Sequence, residues 1–156
     1  MIDVKIINSV LSSITESLNL ITGNEIVLQK PALLKSIEER FEVVANIGFN
    51  GFFKGNLIYT FKSQTAIEIA NKMMNGMNEL TEIDEIALSA VGELGNIISG
   101  TIATNLERKG YPINITPPSV VSGKTVQVSS NGKILKLSTS IEKEKNFDIF
   151  LVVKEK

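Results

Sequence analysis

The longest uninterrupted helical pattern in this chain begins near Thr81 and continues to Leu106. Thr81 and Asp84 stand three residues apart, as in the capping box that begins many helices. Gly110 and Pro112 follow the last apolar position and indicate where the helix ends. We expect about 27 helical residues, or about 40 Å at 1.5 Å per residue. A helix of that length must lie across the centre of a domain of this size.

The two sides of this helix differ sharply in character. Apolar residues recur at helical spacing and predict the side that faces the core, namely Ala87, Ala90, Val91, Leu94, Ile97, Ile98 and Ile102. The opposite side carries mainly small or polar residues, namely Glu85, Ser89, Gly92, Glu93, Asn96 and Gly100. Glu93 and Asn96 are three residues apart, which places their side chains next to each other. We call Glu93 and Asn96 the polar pair.

Three glycines inside one helix need an explanation. Gly92, Gly95 and Gly100 each cost about 0.5–1 kcal/mol of helix stability relative to alanine. Gly95 lies near the edge of the apolar side, so we expect it to allow close packing inside the domain. The face formed by Ser89, Gly92 and Gly100 around the polar pair favours a docking surface for a partner, with intramolecular packing as the alternative.

The remaining pattern predicts an α+β domain over residues 1–156, in which helices cover a largely antiparallel sheet. Apolar periodicity predicts further helices over 3–22 and from Ser63 to Asn75-Gly76, with Ser63 as the cap. Strands are predicted over 25–28, 41–49, 52–61, 124–129, 133–140 and 147–154. Asn50-Gly51 and Asn131-Gly132 predict two hairpin turns, and the charged stretch 142–145 predicts a third turn.

Composition removes several classes of function. The chain has no cysteine and no histidine, so disulfides, thiolate chemistry and imidazole chemistry are excluded. Its net charge of −1 argues against a nucleic-acid surface. The first residues lack the pattern of a signal peptide and no apolar run suggests a membrane span, so we expect a cytoplasmic protein.

Residues 84–96, Asp-Glu-Ile-Ala-Leu-Ser-Ala-Val-Gly-Glu-Leu-Gly-Asn, resemble the active helix of the CheC/CheX/FliY chemotaxis phosphatases, which is defined by Glu-x-x-Asn. Two further stretches, 47–61 and 115–123, are similar to the CheX branch, and the resemblance covers essentially the whole chain. It implies an enzyme that dephosphorylates the aspartyl phosphate of a CheY-like response regulator. Relatives of the CheX type form homodimers, so a homodimer is expected here.

The resemblance also implies roles for the polar pair. Asn96 would orient the attacking water, and Glu93 would bind the active-site lysine of the receiver domain. The phosphatase would need no cofactor of its own, since Mg²⁺ is carried by the receiver. The alternative is a non-catalytic module of the same fold that binds the phosphorylated receiver without hydrolysing it. The intact polar pair favours catalysis.

Three other features have simpler interpretations. A second Glu-x-x-Asn match, Glu16 to Asn19 in the first helix, is interpreted as solvent-exposed surface. The glycines at positions 48, 51 and 55 lack the spacing of a phosphate-binding loop and predict a hairpin with close strand packing. The methionine-rich stretch 73–77 predicts a core contact at the end of the second helix, with an interface as the alternative.

Overall fold

A computed structural model of the chain describes residues 3–74, 79–141 and 146–154. Within these ranges there are three helices, and their bounds are α1 Val4–Thr22, α2 Ser63–Met73 and α3 Glu85–Arg108. The strands are β1 Val27–Leu28, β2 Ala32–Gly51, β3 Lys54–Phe61, β4 Ile113–Ile115, β5 Ser119–Ser140 and β6 Asn146–Lys154. The predicted turn at 142–145, the end of the methionine-rich stretch and the Asn75-Gly76 stop lie outside the described residues.

The helix ends follow from local capping. Asp3 begins α1 by accepting a hydrogen bond from the Lys5 amide at 2.8 Å. Asp84 begins α3 by accepting one from the Ala87 amide at 2.9 Å, so the central helix has 24 residues and starts after the predicted Thr81. The Ser63 cap was wrong, because Lys62 occupies the cap position of α2 and makes no side-chain bond there.

Each strand pair in the described sheet is antiparallel, and four of the strands close into a ring. β3 pairs with β2 on one side and with β6 on the other. β5 pairs with β6 and also with β2, which completes the ring, while β1 and β4 lie at its margins. The α+β class with a largely antiparallel sheet is therefore confirmed.

The strand boundaries differ from the prediction where distant pairing decides them. β2 and β3 form the predicted hairpin and pair up to Phe49 and Gly55. Its turn is not at Asn50-Gly51, because these two residues belong to β2 and pair with β4. The hairpin at Asn131-Gly132 was wrong, because β5 continues through it from Ser119 to Ser140. Gly132 takes a positive φ of 124° and bends the strand without reversing it. Both halves of β5 pair with β2.

Hydrophobic cores lie on both faces of this sheet. On β3, Leu57 and Tyr59 face the helices, whereas Ile58 faces the opposite side. The opposite side is covered by the first halves of β2 and β5, which contribute Ile37 and Val128. The chain itself therefore covers both faces of the sheet, and α3 packs on the face that the helices cover.

The central helix packs its inner side against the sheet. Its buried apolar residues are Ala87, Val91, Leu94, Ile98, Ile102 and Leu106. The prediction that no apolar run suggests a membrane span was wrong on length and composition alone, because α3 is long and apolar enough to cross one. Burial of this side within the domain, with the exposed polar pair opposite, is the pattern of a core helix in a folded domain.

Candidate active site

Glu93 and Asn96 lie one helical turn apart in the middle of α3, and both side chains are exposed. Neither makes a hydrogen bond or ion pair with any other residue that the structure describes. An ionised carboxylate accepts hydrogen bonds, and an amide both donates and accepts them. The polar pair is therefore free to bind both a cationic group and a water molecule supplied by a partner.

The turn of α3 that carries the polar pair is fixed from beneath by a buried hydrogen bond. The hydroxyl oxygens of Tyr59 on β3 and Ser99 on α3 are 2.7 Å apart, and both residues are fully buried. Burial raises the pKa of the Tyr59 hydroxyl well above its ordinary value, against the opposing effect of the Ser99 hydrogen bond. Tyr59 therefore remains a neutral anchor for the helix.

Sequence analysis did not identify this anchor, although a signal was present. Ser99 interrupts the apolar side of α3, and a buried hydroxyl needs a hydrogen-bonding partner. Gly95 lies over the same tyrosine, since a Cβ atom on Gly95 would stand 3.3 Å from both Tyr59 Cδ1 and Ile47 Cδ1. The close packing predicted at Gly95 is thus confirmed.

Gly92 also serves an intramolecular contact. It is buried, and a Cβ atom there would stand 3.2 Å from Val120 Cγ2 and 3.6 Å from Pro118 Cγ. The loop that covers Gly92 is attached to β2, because Thr116 exchanges hydrogen bonds of 2.9 Å with the backbone of Gly48. Gly92 therefore does not lie on the open face. Of the two interpretations given for it, a docking surface or packing within the domain, the structure has packing within the domain.

The open face around the polar pair is formed instead by Ser89, Gly100 and two isoleucines. Ser89 is exposed, and a Cβ atom on Gly100 would meet nothing within 4 Å. Ile97 was predicted in the core but is 36% exposed, and Ile86 is 49% exposed. Ile97 lies outside the core because the sheet contacts a narrower arc of α3 than the apolar pattern suggested; Ala90, on the same edge, is half-buried.

α1 borders the open face on the side away from the Pro118 loop. Its buried side presents three serines, Ser9, Ser13 and Ser17, and Asn105 of α3 donates a hydrogen bond of 2.8 Å to Ser13 Oγ. Small side chains permit close approach of the two helices. A shallow groove between α1 and α3 consequently reaches from Asn96 to Glu16.

The second Glu-x-x-Asn match is exposed, as interpreted from the sequence, but Glu16 is nearer to the site than its place in the chain suggested. Glu16 and Asn96 line the same groove, whereas Asn19 is not among its lining residues. The match therefore does not reproduce the setting of the polar pair. Only the fold brings Glu16 towards Asn96, since the two residues belong to different helices.

The strand glycines and Met73 fit their structural interpretations. A Cβ atom on Gly55 would collide with the carbonyl oxygen of Val152, so Gly55 permits close strand pairing. Gly51 has a φ of 142° beside the backbone of Pro112. Met73 is half-buried and packs against the main core.

Comparison with known proteins identifies a common family. Residues 43–142 match the family model described as chemotaxis phosphatase CheX. The chain is 43% identical to the CheY-P phosphatase CheX of Thermotoga maritima over 152 residues, which cover 97% of each protein.

Solved structures agree with this match over nearly the whole chain. A CheC-like superfamily protein from Shewanella sp. PV-4 has a TM-score of 0.86 at 30% identity, covering 99% of this chain and 100% of that one. CheX from Borrelia burgdorferi, solved in a CheX–CheY–BeF₃–Mg²⁺ complex, has a TM-score of 0.82 at 27% identity, covering 96% of this chain and 97% of that one. The arrangement of helices and sheet is thus shared with these proteins.

Proposed function

Because this chain belongs to the CheX family of chemotaxis phosphatases, we propose that it hydrolyses the aspartyl phosphate of a phosphorylated CheY-like receiver domain. The observation that carries the proposal is the exposed polar pair, Glu93 and Asn96, on a rigid helix and without internal hydrogen-bonding partners in the described chain. Such a pair gains its partners only when another molecule docks on α3.

In the proposed reaction Asn96 positions water. Its amide oxygen accepts a hydrogen bond from the water, and its amide nitrogen donates one to a phosphoryl oxygen, so the water lies in line with the phosphorus–oxygen bond that breaks. Phosphoryl transfer depends on positioning and charge stabilisation more than on covalent catalysis by the protein. Loss of one well-placed amide contact typically lowers turnover by on the order of 100-fold or more.

Glu93 has a docking role in this proposal. Its carboxylate binds the ammonium group of the receiver's active-site lysine and thereby sets the position of Asn96 beside the phosphoryl group. Charge-assisted hydrogen bonds of this kind are stronger than neutral ones and fix orientation. The Mg²⁺ ion belongs to the phosphorylated receiver and enters the site with the substrate.

The face around the polar pair receives the receiver domain. Ser89 and Gly100 remain open beside Glu93 and Asn96, so a partner backbone can approach α3 closely there. Gly92 contributes indirectly, since its missing side chain lets the Pro118 loop pack against the helix and leaves the polar pair prominent.

The decisive experiment measures phosphate loss from a purified phosphorylated CheY-like receiver. Wild-type protein should accelerate the loss, and Asn96→Ala should reduce the rate to nearly that of the receiver alone. Asn19→Ala is the matched control, because it removes the corresponding amide of the second match, and it should retain full activity. Full activity of a folded Asn96→Ala variant would refute the mechanism. A wild-type protein that binds the receiver without changing its rate would identify a non-catalytic binding module instead.

We also propose that the protein acts as a cytoplasmic homodimer, as the CheX resemblance implies. Light scattering on the purified chain should give twice the monomer mass of 17.0 kDa. A monomeric mass at micromolar concentration, together with full phosphatase activity, would refute the dimer and leave the phosphatase function standing.

A further inference from the structure

The groove between α1 and α3 is open to solvent and continuous with the polar pair. On α3 it is lined by Asn96, Ile97, Gly100, Thr104 and Arg108, and on α1 by Glu16. The groove therefore has an apolar residue beside the amide of Asn96, and one acidic and one basic residue among its lining side chains.

Asn105 of this groove holds α3 to α1 through Ser13, but four other lining residues contribute little to the stability of the chain itself. Gly100 is an interior helix glycine with open space where a side chain would lie, which costs helix stability without improving packing. Ile97 is 36% exposed although it is apolar. The side chains of Glu16 and Arg108 form no ion pair or hydrogen bond with any residue in the described part of the chain. These features favour an external contact.

The area of a standard protein interface shows how much of the groove a receiver domain bound at Asn96 would cover. A standard protein interface covers about 800 Å² on each partner, which corresponds to a disc about 16 Å in radius. At 1.5 Å per residue, Gly100 lies about 6 Å, Thr104 about 12 Å and Arg108 about 18 Å along the helix from Asn96. A receiver centred on Asn96 thus covers the middle of the groove and meets Arg108 at its rim.

Of the two sides of α3 that flank the polar pair, the side with the groove is the one left uncovered. On the other side, Pro118 and Val120 already pack against Gly92 and form a raised border. A partner centred on Asn96 can therefore make additional close contact over the groove, where Gly100 leaves its backbone accessible.

We propose that the α1–α3 groove is the specificity surface for the receiver, with Ile97 as its apolar anchor and Glu16 and Arg108 as its charge-selecting rim. The proposal rests on the phosphatase function proposed above. The matching receiver presents a basic side chain opposite Glu16 and an acidic one opposite Arg108. Complementary rim charges mainly set association rate and partner choice, so these residues select the substrate without taking part in the chemistry.

The test uses charge reversal and measures KM, kcat and salt dependence with the phosphorylated receiver. Glu16→Lys and Arg108→Glu should each raise KM about three- to tenfold at low salt while kcat stays unchanged, and the difference should shrink at high salt because rim charges are screened. Glu38→Lys is the matched control, since it makes the same charge change at an exposed position. Glu38 lies in the first half of β2, which covers the face of the sheet opposite the helices, where its neighbour Ile37 packs. It should leave KM unchanged.

A second measurement separates docking from folding. Ile97→Asn and Arg108→Gln should unfold near the wild-type temperature, yet bind a beryllofluoride-activated receiver more weakly. If Glu16→Lys and Arg108→Glu leave KM and its salt dependence unchanged while Asn96→Ala is inactive, the groove proposal is refuted and the phosphatase function stands. Full activity of Asn96→Ala would refute the catalytic mechanism instead, whatever the rim variants do.

Discussion

Two glycines in α3 allow the packing of the site to be tested by matched substitutions. Gly95 and Gly100 lie in the same helix, five residues apart, and alanine at either position lowers the entropy cost of forming the helix. Their surroundings differ. A Cβ atom on Gly100 meets nothing within 4 Å, whereas a Cβ atom on Gly95 lies 3.3 Å from Tyr59 and Ile47 side-chain atoms.

The expected free-energy changes have opposite signs. Gly100→Ala should stabilise the fold by about 0.5–1 kcal/mol, which is the helix preference of alanine over glycine. Gly95→Ala gains the same amount but must displace two fully buried side chains by a few tenths of an ångström. Overpacking of a core typically costs about 1–3 kcal/mol, so the net result should be a loss of about 1 kcal/mol.

Thermal or urea unfolding of the two variants measures this contrast. About 1 kcal/mol corresponds to about 2–4 °C in Tm for a chain of this size, so Gly100→Ala should melt above the wild type and Gly95→Ala below it. Equal Tm shifts would contradict the packing described at Gly95. In the phosphatase assay Gly100→Ala should raise KM despite its greater stability, because the added methyl group occupies the proposed docking surface. An unchanged KM would refute close approach at that position.

The remaining predictions concern the anchor of α3 and the exposure of its two sides. The folded pKa of Tyr59 lies above its unfolded value, so its contribution to stability is fully present below pH 10 and is lost as the unfolded chain ionises above it. Between pH 10 and 11 the wild type should therefore lose about 1 kcal/mol more than Tyr59→Phe does, and parallel curves would show that Tyr59 is accessible. Leu94→Ala should cost about 2–5 kcal/mol because Leu94 is 0% exposed. Ile97→Ala should cost less than about 1 kcal/mol because Ile97 is 36% exposed, and similar losses at the two positions in urea unfolding would contradict the orientation of α3.

The sequence was sufficient for features that depend on one helix. The adjacency of Glu93 and Asn96 follows from helical periodicity alone, and so do the buried positions of Val91, Leu94 and Ile98. The end of the helix near Arg108 was also predictable, because local capping and stop signals determine it. These parts of the site were predicted correctly because they need no knowledge of distant residues.

Features that depend on distant pairing were not predictable from one sequence. Asn131-Gly132 has the composition of a hairpin turn, yet both flanking segments pair with β2, and that partner keeps them in one bent strand. The exposure of Ile97 likewise depends on how α1 and the sheet meet α3. Burial of Gly92 depends on the loop at Pro118, which a hydrogen bond from a distant strand holds in place.

Closure of the sheet by β6 has a consequence for how this protein folds. β6 lies between β3 and β5. The register joins Leu57 to Leu151 and Leu33 to Leu135, so two of the four strand pairings in the ring join residues about a hundred positions apart. Contacts of such high sequence separation slow folding, because the entropy of loop closure is lost before the contacts form. During synthesis α3 leaves the ribosome well before the strand that completes the sheet beneath it. We therefore expect closure of the ring to be a late step of folding, which follows the synthesis of β6.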